Sequence, residues 1–242
     1  KIIKLINNKI DLYKFLKKKN VDAGKFCKIN SSQELKKVLP LFNYPRKKII
    51  LKPRSGGGSR GIIILNHKLR KFDYLLEDKR RFCGSGSLEI LKKEMKKVNY
   101  KLKKYLVMPF YKNKTYDVDC IAERGKLIFC ISRLRIYENP LSPINQGCEV
   151  SKNKIIEKYC SQIIAALNIS GACDFDIIIR DDKKPQLLDA GCRLSGSSTA
   201  SMPLGINVVS NVIKNLIKKK ISKVSINKKV IVFPKPQYQK VK

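Results

Sequence analysis

Two short apolar runs, Ile49-Ile50-Leu51 and Ile62-Ile63-Ile64-Leu65, flank the polar stretch Lys52-Pro53-Arg54-Ser55-Gly56-Gly57-Gly58-Ser59-Arg60-Gly61. Apolar runs of four to eight residues, rich in β-branched side chains and bounded by Gly and Pro, fit buried strands. The pattern predicts strands at 48–52 and 61–65 joined by a flexible loop at 53–60. No apolar run anywhere exceeds four or five residues. A membrane helix needs roughly 18 to 20, and the start has no leader-like apolar core, so a soluble, cytoplasmic protein is expected.

Helical and extended periods alternate along the chain, which makes the fold class mixed α/β (α+β). Asn8 is placed to cap a helix at 9–19, and Ser31 to Glu34 has the spacing of a capping box opening a second. A short strand is expected within 21–29. Residues 66–100 read as basic surface helices interrupted by a mobile Cys83-Gly84-Ser85-Gly86-Ser87 break. Strands follow at 105–108, 116–123 and 126–135, the last two turning at Arg124-Gly125. The stretch 138–150 reads as irregular. A helix at 151–167, strands at 174–180 and 186–190, and a last helix at 206–219 complete the pattern. This divides the chain into an opening helix (1–20), a small α/β lobe (21–105) and a larger lobe with a mainly antiparallel sheet (106–242).

The charge is the loudest compositional feature. Fifty-three Lys and Arg against 19 Asp and Glu leave a formal net charge of +34, which suggests a nucleic-acid partner. Yet Lys (42), Ile (30) and Asn (16) together make 88 of the 242 residues. All three use A/T-rich codons, and the Lys runs are spread from end to end with no aromatic-interleaved RNA-binding motif. Compositional drift accounts for most of the charge, and no specific nucleic-acid partner is expected. Eight Cys without a CxxC pair, and a single His, His67, indicate neither a zinc site nor a disulfide framework. They read as reduced, mostly buried thiols.

Against this background three features carry chemistry. The Gly56–Gly61 hairpin loop can close bare backbone N–H groups around phosphate oxygens, with Lys52, Arg54 and Arg60 supplying charge. It is no Walker loop, because no Gly-Lys-Ser/Thr opens a helix after it. Asp174 and Asp176 alternate onto one face of a strand, and a hairpin brings Asp176 opposite Asp189. Carboxylates set among apolar residues without His or paired Cys favour Mg²⁺. Arg is scarce, so Arg60, Arg193 and the same-face pair Arg133 and Arg135 stand out as bidentate clamps for carboxylate or phosphate.

In this order the pieces resemble the ATP-grasp family, in particular its carbamoyl-phosphate-synthase-like branch of carboxylate-amine ligases. The resemblance runs from about residue 6 to 217. Asn7-Asn8-Lys9 through Val21-Asp22-Ala23-Gly24 is similar to the opening helix, with Lys9 as the phosphate-reaching base. Lys52-Pro53 and Gly57-Gly58-Ser59-Arg60-Gly61 resemble the second phosphate-binding Lys and the glycine-rich lid. Asp176 and Asp189-Ala190-Gly191-Cys192-Arg193 resemble the metal strand and the Glu-x-Asn-x-Arg signature.

The resemblance implies two lobes with ATP between them and a hinge at Leu106-Val107-Met108-Pro109-Phe110-Tyr111. Backbone groups of Met108 and Phe110 would meet adenine, with Ile50 and Val107 sandwiching the ring. Thr115 stands where the family often has a ribose-binding acid, a contact Asp117 is placed to take over. Asp176 and Asp189 would hold Mg²⁺, or Mn²⁺ in its place. Arg193, with Arg133 or Arg135, would steady the substrate carboxylate and the transferred phosphoryl group.

Three departures qualify this. Asp189 shortens the signature Glu, Gly191 replaces its metal-binding Asn, and Gly196 stands in place of a second Arg, which argues against bicarbonate. Family members usually carry an N-terminal α/β domain ahead of the opening helix, and this chain starts eight residues before Lys9. The implied activity is ATP- and Mg²⁺-dependent activation of a small-molecule carboxylate as an acyl phosphate for attack by an amine, with a further domain or homo-oligomer completing the acceptor site. The rival readings are a degenerate ATP-binding module without ligase activity and a basic nucleic-acid-binding protein.

Overall fold

Strand and helix boundaries in the computed structural model, which describes residues 2–56, 61–74, 83–136, 147–222, 226 and 229–233, follow local sequence signals closely at the start of the chain. Helix α1 (Ile2–Ile6) leads to α2 (Lys9–Lys18), where the Asn8 side chain accepts the Asp11 N–H and Lys17 and Lys18 occupy the last turn. Both ends thereby complement the helix dipole and its orphan amides. Ile10, Leu12, Tyr13 and Leu16 form the buried stripe. After β1 (Cys27–Ile29), Ser31 caps α3 (Ser32–Val38) by accepting the Glu34 N–H at 3.1 Å, and Glu34 reaches back to the Asn30 N–H at 2.9 Å.

The first sheet has the order β1-β6-β2-β3-β5-β4, with β2 (Ile49–Pro53), β3 (Ile63–Leu65), β4 (Asp73–Tyr74), β5 (Gly84–Gly86) and β6 (Tyr105–Pro109). Helix α4 (Leu88–Lys97), capped by Ser87, buries Leu91 and Met95 against it. Here the expectation of a mobile Gly-Ser-Gly break is corrected, because that segment is the ordered strand β5, parallel to β3. The glycines serve packing. A Cβ on Gly84 would lie 2.4 Å from both the Asp73 carbonyl oxygen and the Phe72 ring, so only a bare Cα fits beneath that ring. The stretch 66–100 therefore contains one described helix rather than a series.

The second sheet, order β11-β10-β7-β8-β9-β12, is antiparallel throughout. It comprises β7 (Thr115–Glu123), β8 (Lys126–Arg135), β9 (Cys148–Ser151), β10 (Gly171–Ile179), β11 (Pro185–Gly191) and β12 (Val230–Val232). Arg124 and Gly125, both at positive φ, make the tight turn from β7 to β8. Cys148–Ser151 is strand, not irregular chain, while residues 138–146 of that expected loop lie outside the described residues.

Helix α5 (Lys154–Leu167) covers one face of this sheet with Ile156, Tyr159, Cys160, Ile163, Ile164 and Leu167, the spacing of an amphipathic helix. Helix α6 (Val208–Leu216) and a 3₁₀ turn (Ser198–Leu204) lie on the other side, where Ile121, Phe129, Ile131, Ile206 and Val208 form a second apolar patch.

One core cluster joins the two sheets. Ile50, Ile64, Leu106 and Met108 of the first sheet pack with Val118, Phe175 and Ile177 of the second and with the buried stripe of α2. The Tyr13 hydroxyl donates to the Leu187 carbonyl at 2.6 Å and fixes α2 to β11. The opening helix thus packs on the second sheet, and the change of sheet falls between Pro109 and Thr115. No described helix is long and apolar enough to cross a membrane.

Candidate functional site

Alternation along three antiparallel strands gathers carboxylates onto one face. Asp117 on β7, Asp176 on β10 and Asp189 on β11 stand in one cross-strand row, with Arg133 of β8 beside Asp117. The next row holds Asp119, Asp174 and Gly191. The sequence anticipated Asp176 opposite Asp189 and Asp174 on their face. It did not anticipate that Asp117 and Asp119 extend the array, since that depends on which strand lies next to β10.

Two lysines meet this row from different elements. Lys9, at the first turn of α2, is buried; its Nζ lies 3.0 Å from Asp189 Oδ1 and donates to the Gly56 carbonyl at 2.7 Å. Its backbone N–H donates to the Arg54 carbonyl at 2.9 Å, so the start of α2 is stitched to the glycine-rich loop. Lys52, on β2, is also buried, and burial pushes its ammonium down to about 8; Asp189 and Asp176 oppose that shift, and Lys9 and Arg135 add to it. Gly56, at φ +107°, has open space where a Cβ would stand. Gly61, at φ +75°, accepts from the Tyr105 hydroxyl at 3.1 Å. Gly57, Gly58, Ser59 and Arg60 lie outside the described residues.

Burial sets the protonation behaviour of two of these carboxylates. Burial lifts Asp176 to about 7 despite Arg135, with Asp117 and Asp189 adding to the rise. Burial likewise lifts Asp174 to about 6, against the pull of Arg193. The Asp174 Oδ1 atom is buried without a hydrogen-bond partner. A Cβ on Gly191 would lie 2.1 Å from that same atom, so the bare Cα of Gly191 leaves the space into which the Asp174 carboxylate turns. Asp176 and Asp189, half-buried and paired across β10 and β11, supply hard oxygen donors for a Mg²⁺ ion, and the orphaned Asp174 oxygen in the next row is a further donor.

The arginines divide into three situations. Arg135 pairs with Asp117 and lies 3.1 Å from Asp176, at the edge of the row. Arg193 is exposed, donates to the Leu194 carbonyl and stands 3.9 Å from Asp174 Oδ2. Arg133 is fully buried at 0% exposure, donating to Asp119 at 2.6 Å and Ser195 Oγ at 2.7 Å. This corrects its expected contact with substrate, because no part of the guanidinium reaches the surface. Asp119 also accepts the Ser195 N–H at 2.7 Å, and Asp117 accepts from Ser197 Oγ at 3.1 Å. Arg133 and these two aspartates therefore hold the segment that carries Arg193. Asp117 accepts from Arg135 and Ser197, and Thr115 is buried at the head of the same strand.

At the expected hinge, Met108 pairs with Ile50 and Pro109 with Ile49, and the Phe110 N–H donates to the Lys48 carbonyl at 3.2 Å. Ile50 and Met108 face the cluster between the sheets. Val107 faces away, into the first sheet's own core with Leu51, because neighbours on a strand alternate. Phe110 and Tyr111 are half-buried beyond the strand end. His67 is exposed, as expected.

Residues 101–235 match the family model described as ATP-grasp in the biosynthetic pathway with Ter operon. No curated protein sequence matches the chain. Among solved structures, the carboxyaminoimidazole ribonucleotide synthase of Aspergillus clavatus, complexed with ATP, is similar at a TM-score of 0.70 and 15% identity, covering 94% of this chain and 56% of its own. The biotin carboxylase domain of Hydrogenobacter thermophilus 2-oxoglutarate carboxylase, in complex with MgADP, ADP and bicarbonate, gives 0.66 at 16%, over 94% and 50%. The L-amino acid ligase of Bacillus licheniformis gives 0.62 at 15%, over 90% and 49%. The chain thus spans about half the length of these proteins, and at such identities the likeness concerns the fold.

Proposed function

Because the chain belongs to the ATP-grasp family, we propose that it is a ligase that uses ATP to join a small-molecule carboxylate to an amine through an acyl phosphate. One observation carries this reading: Lys9, Lys52, Asp176 and Asp189, from four elements and both sheets, converge where the glycine-rich loop meets the second sheet. Lys9, Lys52 and the glycine-rich loop hold the nucleotide phosphates. Ile50 and Met108 offer the apolar wall for the base. Asp176, Asp189 and Asp174 would hold Mg²⁺, or Mn²⁺ in its place, and when bound the ion supplies neutralisation of phosphate charge.

The carboxylate oxygen attacks the γ-phosphorus in line, the bond to the β-phosphate oxygen breaks, and ADP leaves. The amine nitrogen then attacks the acyl carbon, expels phosphate and releases a proton, giving an amide. The chain contributes positioning and charge rather than a side-chain nucleophile. Arg193, exposed beside the carboxylate array, meets the substrate, and Arg135 keeps Asp117 and Asp176 in place.

Calorimetric titration with ATP and Mg²⁺ tests the nucleotide site. Lys52→Ala should abolish binding and Asp189→Ala weaken it. A folded wild type that binds no ATP would sink the proposal, and polyanion binding that survives Lys52→Ala would point to the nucleic-acid reading. Phosphate release with pooled carboxylic acids and amines tests the ligase step. ATP binding without release for any acid and amine pair would identify an ATP-binding module instead.

A further inference from the structure

On the face of the second sheet opposite the carboxylates, four of the eight cysteines come together. Cys120 of β7 stands directly across from Cys130 of β8 on one side and Cys173 of β10 on the other. Cys160 reaches them from the buried stripe of α5, which packs across β8. The sulfur atoms of Cys120, Cys130 and Cys160 all lie within 4.8 Å of one another, and those of Cys120 and Cys130 are 3.8 Å apart. The Cys173 thiol interacts with that of Cys120. All four are free thiols, and three are fully buried.

We propose that Cys120, Cys130 and Cys160 form a structural Zn²⁺ site separate from the ATP site, with the Cys173 thiol turning in from β10 to close the tetrahedron. The Cys120–Cys130 separation of 3.8 Å fits a single ion. With Zn–S bonds of about 2.3 Å, a tetrahedron of sulfurs has edges of about 3.8 Å, whereas a multi-iron cluster spreads its sulfurs wider. The ligand set is purely thiol, with no His in reach, and suits a borderline-soft closed-shell ion rather than Mg²⁺. The ligands come from three strands and a helix, so one ion would clamp α5 to the middle of the sheet. Cys130 is only partly buried and lines a cavity of about 590 Å³, shared with the α5 cap Asn153, Glu157 of α5 and Lys218, which would give an ion a way in. Each ligating thiol gives up its proton to solvent as the ion binds, so occupancy falls as pH is lowered.

The test uses the full chain purified without chelator from zinc-supplemented cells. We expect close to one zinc per chain by elemental analysis, and a melting temperature that falls on chelation and returns with Zn²⁺. Cobalt substitution should give the thiolate charge-transfer band and the intense visible bands of a tetrahedral sulfur site. Cys160→Val and Cys130→Ser, of which the second sits at the cavity and leaves the core shape intact, should each lose the metal, while exposed Cys192→Ser should retain it. A folded, reduced wild type with less than a tenth of an equivalent of zinc and no thermal response to Zn²⁺ would overturn the proposal. So would a Cys120–Cys130 disulfide in the purified chain, or unchanged zinc content in both ligand variants. None of these readouts depends on ATP binding.

Discussion

Replacing Arg133 by Met isolates what the buried arginine does. Arg133 and Asp119 both have 0% side-chain exposure, and their closest atoms are 2.6 Å apart. Met preserves much of the stem volume and deletes the guanidinium. Asp119 then keeps only the Ser195 N–H at 2.7 Å and the Ser195 hydroxyl at 3.0 Å. Breaking a buried pair and leaving the partner charged costs about 3–5 kcal/mol. Part of that is offset, because Nε and Nη1 of Arg133 are themselves buried without partners, and removing orphaned donors returns about 1 kcal/mol or more. The net loss should be about 2–4 kcal/mol, a large share of the roughly 5–15 kcal/mol that holds a domain folded. Arg133→Met/Asp119→Asn, which removes the charge and keeps an acceptor for the Ser195 N–H, should recover at least half of it. Urea unfolding followed by two probes and extrapolated to water measures both. A loss below about 1 kcal/mol, or a double variant as unstable as the single one, would refute the assignment of Arg133 as a positioning residue.

Four other expectations follow from the same geometry. ATP affinity should fall as pH rises through about 8, where buried Lys52 loses its proton, approaching tenfold per pH unit; titrations between pH 6.5 and 9 that stay flat would contradict it. Asp174 and Asp176, raised to about 6 and about 7, lie above their unfolded values, so without divalent ions their contribution to stability is complete at low pH and lost as pH rises through those values. Mg²⁺ should accordingly raise the melting temperature at pH 8 and leave it unchanged at pH 5. Gly191→Ala puts a Cβ 2.1 Å from Asp174 Oδ1 and should weaken Mn²⁺ binding at least about tenfold by paramagnetic-resonance titration, as losing or turning one oxygen ligand would. Gly84→Ala, with its Cβ 2.4 Å from the Asp73 carbonyl and Phe72, should cost about 1–3 kcal/mol by thermal unfolding without changing ATP affinity.

Asn8, Ser31 and the stripe of α5 from Ile156 to Leu167 were legible because caps and helix stripes are set by residues three or four positions apart. The Gly-rich hairpin and the Asp176 to Asp189 pair were legible because each joins strands close in sequence. Reading Gly84-Ser85-Gly86 as a break failed because glycine's local preference says nothing of a Phe72 ring lying on it. Arg133 stood out by its rarity, but rarity does not tell a ligand clamp from a buried strut.

By itself, then, the sequence determined the alternation of helices and strands, the order of the phosphate-binding and carboxylate motifs, and the resemblance that named the family. The tertiary structure alone decided that Asp117 and Asp119 complete the acidic face, that Asp174 fills the space left by Gly191, that Arg133 lies beneath the site, and that Cys120, Cys130, Cys160 and Cys173 meet. Local elements obey periods of two and 3.6 residues that any stretch of sequence displays. Side chains brought together across a sheet obey strand order and register, and those are fixed only when the whole core packs.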